Sequence, residues 1–252
     1  MIELRYGDDP SQFAELYLPS VSSAAVPVAV YLHGGFWRSK FDLSGVRPLA
    51  ESLAQSGWAA LNVEYRRVGN GGGHPATFAD VGAAIDSLAI PGTESAAVHG
   101  AELDLSRVVA VGHSAGGHLA AWSATRQGAK VDVTGVVSQA GVMDLVRAAA
   151  DELGERATQA FLGGEPSEVP DRYRFASPIE HLPLGVPILC VHGRDDQRVP
   201  LDQSEAFVRA AIAAGDQAEL AVVAGDHFVV IDTASDAWAA VLRWLDDLRD
   251  VP

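Results

Sequence analysis

A serine is a poor nucleophile until a neighbouring base removes its proton, so a serine placed for chemistry needs a special backbone setting and two partners. Gly112-His113-Ser114-Ala115-Gly116 offers such a setting, with Gly117 following. With 25 glycines in the chain, that string alone is a weak signal. Its surroundings strengthen it. The β-branched run Val108-Val109-Ala110-Val111 precedes it, and His118-Leu119-Ala120-Ala121-Trp122 continues as a helix. A strand, a sharp turn and a helix in this order would expose the Ser114 hydroxyl and aim the first N–H groups of the new helix at developing negative charge.

The partners must come from elsewhere. After Ser114 the histidines are His118, His181, His192 and His227. His118 lies on the elbow helix and points away from the serine. His192 ends a strand and opens the loop Gly193-Arg194-Asp195-Asp196-Gln197-Arg198-Val199-Pro200, where an acid should sit. His227, in Gly225-Asp226-His227-Phe228 just after the last strand, is the expected base. His113, His181 and His192 are expected in hydrogen-bonded structural roles. Spacing alone leaves Asp195 and Asp196 as equal candidates for the acid.

A tetrahedral oxyanion needs N–H donors, and glycines let a backbone approach closely enough to supply them. Leu32-His33-Gly34-Gly35-Phe36-Trp37 follows a buried strand, and the expected donors are Gly35, Phe36 and Ala115. His33 reads as a brace for that loop. Trp37 and Phe36 are either core aromatics or part of the pocket wall, with Trp37 carried forward as a substrate-binding residue. Cofactors are not required. His113 and His118 stand five apart, off the spacing that puts two metal ligands on one helix face.

These groups need a rigid frame. Runs at Ile2–Tyr6 and Phe13–Leu18 read as a hairpin, and Val28–Leu32 as a strand buried on both faces. Strands at Trp58–Tyr65, Arg107–Gly112, Val133–Ser138, Val186–His192 and Glu219–Val223 then alternate with helical stretches at Leu43–Gln55, Ala76–Leu88, Ala115–Arg126, Leu201–Ala214 and Ser235–Leu248. Such alternation predicts an α/β fold, a mostly parallel eight-stranded sheet with helices on both faces. Residues 1–252 read as one domain. Gly141–Gly185, with helical material at Val142–Leu153, is longer than an ordinary connection and reads as a surface excursion or a short lid-like insertion.

Composition narrows the partners. Asp and Glu number 33 against 18 Lys and Arg, a formal net charge of -15. That field repels a phosphate backbone, which argues against nucleic acid, and it favours neutral or cationic substrates over anionic ones. The single cysteine, Cys190, lies in an apolar run and reads as a core thiol. No apolar run approaches the roughly 20 residues that span a bilayer. The alternating N-terminal run does not read as a signal peptide, so the cytoplasm is the expected compartment. The expected partner is a small-molecule ester or amide; a homodimer is compatible with the sequence, which does not itself reveal the oligomeric state.

Taken in order, strand-HGGFW, GHSAGGHLAA, HGRDDQRVP and GDHF resemble the α/β-hydrolase superfamily over nearly the whole chain. HGG-aromatic-Trp with Asp-His-Phe is similar, more narrowly, to kynurenine formamidase (arylformamidase) and related small HGG-type esterases. The resemblance implies the order nucleophile, acid, base. Its pattern H-G-x-x-D-x-x-V-P implies Asp196 as the acid, with Val199-Pro200 in register and Asp195 a neighbour. It implies a serine hydrolase acting on a small carboxylic ester or aryl formamide through Ser114, Asp196 and His227. A peptidase or carbohydrate-ester hydrolase on the same fold is the alternative, and a binding protein that lost the chemistry a third. Related esterases carry Tyr-Arg-Leu-Ala-Pro-Glu where this chain has Tyr65-Arg66-Arg67-Val68-Gly69-Asn70, followed by Gly71–Gly73. That glycine-rich loop is expected near the pocket entrance.

Overall fold

The computed structural model describes residues 1–20, 25–89 and 102–249. Eight strands form one sheet in the order β1-β2-β4-β3-β5-β6-β7-β8: β1 (Ile2–Arg5), β2 (Phe13–Tyr17), β3 (Val26–Leu32), β4 (Ala59–Val63), β5 (Leu103–His113), β6 (Gly135–Gln139), β7 (Ile188–Gly193) and β8 (Ala218–Val223). β2 pairs antiparallel with β1 and β4, and every other pairing is parallel. The expected eight-stranded, mostly parallel sheet is present. After β3 the chain steps to β4 on one side, then crosses back to β5 on the other. Such a reversal opens a crevice at the carboxyl ends of β3 and β5.

The central strands alternate between two cores. Val28, Val30 and Leu32 of β3 face one, and Ala29 and Tyr31 face the other. Helices α1 (Arg47–Gln55) and α8 (Asp236–Arg249) cover the second face with Leu49, Leu53, Trp238 and Leu245. The first face is covered by α2 (Ala76–Asp86), α3 (Ala115–Ser123) and α7 (Asp202–Ala214), through Phe78, Leu119, Trp122 and Phe207. Gly57 (φ +88) and Gly215 (φ +102) end α1 and α7 in left-handed backbone that favours glycine.

Two expectations change in detail. β5 begins at Leu103 rather than Arg107, because Val26 and Pro27 of β3 pair with Leu103 and Asp104 before the register shifts. The helical material of the 141–185 excursion is α4 (Leu145–Ala150), α5 (Leu153–Leu162) and α6 (Pro170–Ala176) instead of one helix from Val142. Asp144 caps α4 by accepting the Arg147 N–H (3.0 Å), and left-handed backbone at Glu152, Gly154, Glu155 and Arg156 separates the turns. Among the described residues, no helix is long and apolar enough to cross a membrane.

Candidate active site

The turn after β5 is set by close backbone contacts. A Cβ on Gly116 would lie 1.9 Å from the Leu32 carbonyl oxygen, and one on Gly112 would lie 2.2 Å from the Gly116 oxygen. Both positions therefore exclude any side chain. Yet the sharp turn itself falls on Ser114, at φ 55 and ψ −119. Backbone of this kind costs about 1–3 kcal/mol in a non-glycine residue and persists only when its surroundings fix it. Here the Ser114 N–H donates to the Gln139 carbonyl (2.8 Å), and the Ser114 carbonyl accepts from the His118 N–H (3.1 Å). Buried Tyr31 holds Gln139 in turn, donating its hydroxyl to Oε1 (2.7 Å).

The loop after β3 lies against this elbow. A Cβ on Gly34 would fall 3.1 Å from the Ser114 Cβ and 2.9 Å from the His113 carbonyl oxygen. Gly35, Phe36 and Trp37 follow at φ +115, +50 and +54, three left-handed residues in a row. This backbone leaves the N–H groups of Gly35 and Phe36 without a protein acceptor among the described residues, and Ala115, the first residue of α3, is likewise free. The loop is braced from behind. The His33 ring stacks on Tyr65 (4.4 Å), with Nδ1 2.8 Å from the Gly34 oxygen and Nε2 3.2 Å from Glu64 Oε1. Glu64 is buried, pairs with Arg67 and accepts the Leu43 N–H (3.1 Å). His33 is thus the brace expected, and its partners Glu64 and Arg67 had no motif to reveal them.

The left-handed turn also sorts the two aromatics. Phe36 lines the cavity beside Ser114, but Trp37 does not. Trp37 is fully buried, stacks on Phe161 (4.6 Å) and donates its indole N–H to His118 Nδ1 (3.2 Å). The expectation that Trp37 contacts substrate is corrected: it is a core residue that anchors the loop. His118 passes the contact on, its Nε2–H donating to the Ala176 carbonyl (2.8 Å). Burial pushes this histidine down to about 4, so it stays neutral and can accept from Trp37.

Across the cavity, side chains carry the geometry. His227 donates Nδ1–H to Asp196 Oδ2 (2.6 Å), which leaves Nε2 as its basic nitrogen. Asp196 Oδ1 accepts the N–H groups of Arg198 (2.8 Å) and Val199 (3.0 Å). Burial opposes ionisation of Asp196. The hydrogen bonds from His192, His227 and Val199 outweigh it and hold the carboxyl well below the usual carboxylate range. Asp195 is exposed one residue away, with its N–H tied to the Gly225 carbonyl (2.9 Å). Only Asp196 meets the histidine.

Two histidines expected as structural do more than fill space. His192, fully buried, has Nε2 2.9 Å from the Val199 carbonyl oxygen and 3.2 Å from Asp196 Oδ2, and Nδ1 2.8 Å from the Ser204 hydroxyl. His113 Nε2 lies 3.1 Å from the His227 carbonyl oxygen, a bond that requires it to donate, and its ring sits 4.6 Å from that of His227. Burial, then the charge of His227, push His113 down to about 3. His181 reaches only the Phe175 carbonyl (3.0 Å).

Ser114, His227, His33, His113 and the 34–36 backbone open onto one cavity of about 210 Å³. Phe41, Val46, Phe228 and Ile231 give it an apolar wall, and Asp42 and Arg198 are its charged members. The glycine-rich 69–74 loop, expected at the entrance, contributes no lining residue. It packs on the excursion instead, where the His74 N–H donates to the Phe161 carbonyl (2.9 Å). The excursion itself reaches the loop after β3, with Gly154 against Phe36 and accepting from Arg38, and supplies no lining residue either. Among the described residues, no group of three or more His, Cys, Asp or Glu is placed to hold a metal.

A mostly parallel eight-stranded sheet with these loops at the carboxyl ends of β3, β5, β7 and β8 defines an α/β-hydrolase-type protein. The chain belongs to the BD-FAE family, whose model matches residues 14–210. It is 28% identical over 241 residues to isoprenylcysteine alpha-carbonyl methylesterase ICME of Arabidopsis thaliana, covering 87% of this chain and 54% of the relative. It is 27% identical over 246 residues to kynurenine formamidase of Danio rerio, covering 94% and 77%. The chain thus spans about half the length of the first of these curated relatives. Among solved structures, a truncated carbohydrate esterase from gut microbiota superposes with a TM-score of 0.81 at 21% identity, over 98% of this chain and 96% of the other. The propionate-bound esterase Est2 of Thermogutta terrifontis does so with 0.74 at 24%, over 98% and 92%. Both establish a shared fold.

Proposed function

We propose that the chain is a serine hydrolase that cleaves a small carboxylic ester or an aryl formamide through an acyl-enzyme. The observation that carries this reading is convergence. A strained serine elbow, a carboxylate-bound histidine and free backbone donors border one small apolar cavity. The similarity to a methylesterase and a formamidase supports the same chemistry on both kinds of acyl bond.

In this mechanism Ser114 Oγ attacks the carbonyl carbon while His227 Nε2 takes the hydroxyl proton. The carbonyl π electrons move onto oxygen, where the N–H groups of Gly35, Phe36 and Ala115 receive the charge, each typically worth about 3 kcal/mol. Asp196, already ionised, holds the imidazole by Nδ1 and stabilises its cationic form. Collapse breaks the bond to the leaving alcohol or amine, which takes the proton from His227. Water then attacks the acyl-enzyme with His227 again as base, releasing the acid and restoring Ser114.

The test is Ser114→Ala with 4-nitrophenyl acetate as substrate. Turnover should fall by roughly 10⁴-fold or more, with an unchanged circular dichroism spectrum. Hydrolysis by the folded variant at the wild-type rate would overturn the reading.

A further inference from the structure

Among the described residues lining the cavity, Arg198 is the single Lys or Arg. Of the other cations near that loop, Arg38 is paired with Glu155 and Arg67 with Glu64, while Lys40, outside the lining, rests over the Phe41 ring (5.7 Å). Arg198 is exposed, and its guanidinium makes no hydrogen bond or ion pair with a described residue. It rests over the Phe228 ring, 5.0 Å from the centroid. Its backbone is nevertheless fixed to the catalytic pair, because the Arg198 N–H donates to Asp196 Oδ1. The Phe228 ring in turn stands 5.5 Å from the ring of His227.

We propose that Arg198 is a specificity-determining residue that pairs with a carboxylate on the leaving group of the substrate. The inference rests on the serine-hydrolase reading. His227 must protonate the leaving group, so that group lies on the His227 side of the cavity, beside Phe228 and Arg198. A ring there packs against Phe228, and a carboxylate on it meets the free guanidinium. The nearby carboxylates each have fixed partners within the protein, though they keep their charge. Asp42, which also lines the cavity, accepts from the Ser44 N–H and hydroxyl, Asp226 accepts the Phe228 N–H (2.9 Å), and Asp196 holds His227. The net charge of -15 argued for neutral or cationic substrates. At physiological ionic strength, however, exposed charges are screened beyond about 8 Å, so the field a leaving group meets is set by the groups beside it: Arg198 over Phe228, with Asp42 the one carboxylate in the cavity lining.

The test compares 4-acetoxybenzoate with its neutral counterpart 4-acetoxybenzamide, each rate corrected for its reactivity with hydroxide. The wild type should favour the anion by about tenfold in kcat/KM, the scale of one partly exposed charge-assisted contact, and the preference should shrink as salt is added. R198M should bring the ratio to about one, and R198K should restore part of it. A ratio that is the same in wild type and R198M, or a wild-type preference for the amide, overturns the role of Arg198. If the wild type cleaved neither ester, the serine-hydrolase reading itself would fall and this assignment with it.

Discussion

The two sides of the cavity are built by different physics. On the side of β3 and β5, backbone does the positioning. Glycines at 34, 112 and 116 let chain segments meet at distances no Cβ tolerates, and residues 35–37 and 114 take left-handed or other positive-φ backbone. On the side of β7 and β8, side chains do it, through one carboxylate shared among His227, His192 and two backbone N–H groups. A backbone-built site is rigid and tolerates no added atom. A side-chain-built site keeps its shape when one polar group is exchanged and loses function instead.

That contrast can be broken by mutation. Gly116→Ala should have the largest effect, because its Cβ would stand 1.9 Å from the Leu32 oxygen and neither backbone can yield. Loss of folded protein, or destabilisation beyond about 4 kcal/mol in urea unfolding, is expected; a variant as stable as wild type would show that the elbow adapts. Asp196→Asn should leave the fold in place and lower kcat by on the order of 10⁴-fold. Its amide would donate to His227 Nδ1, put the ring proton on Nε2 and leave no base for Ser114. A variant that keeps wild-type kcat would dissociate the carboxylate from catalysis.

A subtler difference lies in pH. His113 at about 3 and His118 at about 4 are both held below the ordinary value near 6.5. As pH falls through 6.5 the unfolded chain binds protons at both sites and the folded protein does not, so stability is full above that pH and declines below it. Each site contributes up to about 1.4 kcal/mol per pH unit in that window. His118→Gln, which can still accept from Trp37, removes one such group and should flatten the dependence between pH 6 and 4. An unchanged slope would place the acid sensitivity elsewhere.

What the amino acids disclosed follows the same division. The elbow was legible because a backbone contact that excludes Cβ leaves glycine as the sole choice, so Gly112 and Gly116 are visible as letters. Which residue carries the turn was not, since Ser114 takes the positive φ through tertiary bonds to Gln139 and His118. Asp196 could not be told from Asp195 by spacing; register with Val199-Pro200, taken from the family resemblance, separated them. Trp37 was misplaced for a physical reason. Consecutive left-handed residues break the alternation by which neighbouring side chains are assigned to faces, sending Phe36 to the cavity and Trp37 to the core. Phe41, Val46, Phe228 and Ile231 come together from distant segments without a shared period, so folding alone reveals them as a wall.

The central claim is that Ser114 is the residue the site activates. The most direct measurement is reaction of the folded protein with a fluorophosphonate, followed by peptide mapping in a mass spectrometer. The account predicts one adduct per chain on the Gly112–Gly116 peptide at Ser114, its formation slowed by Asp196→Asn. No adduct, or an adduct on another residue in the wild type, would contradict it.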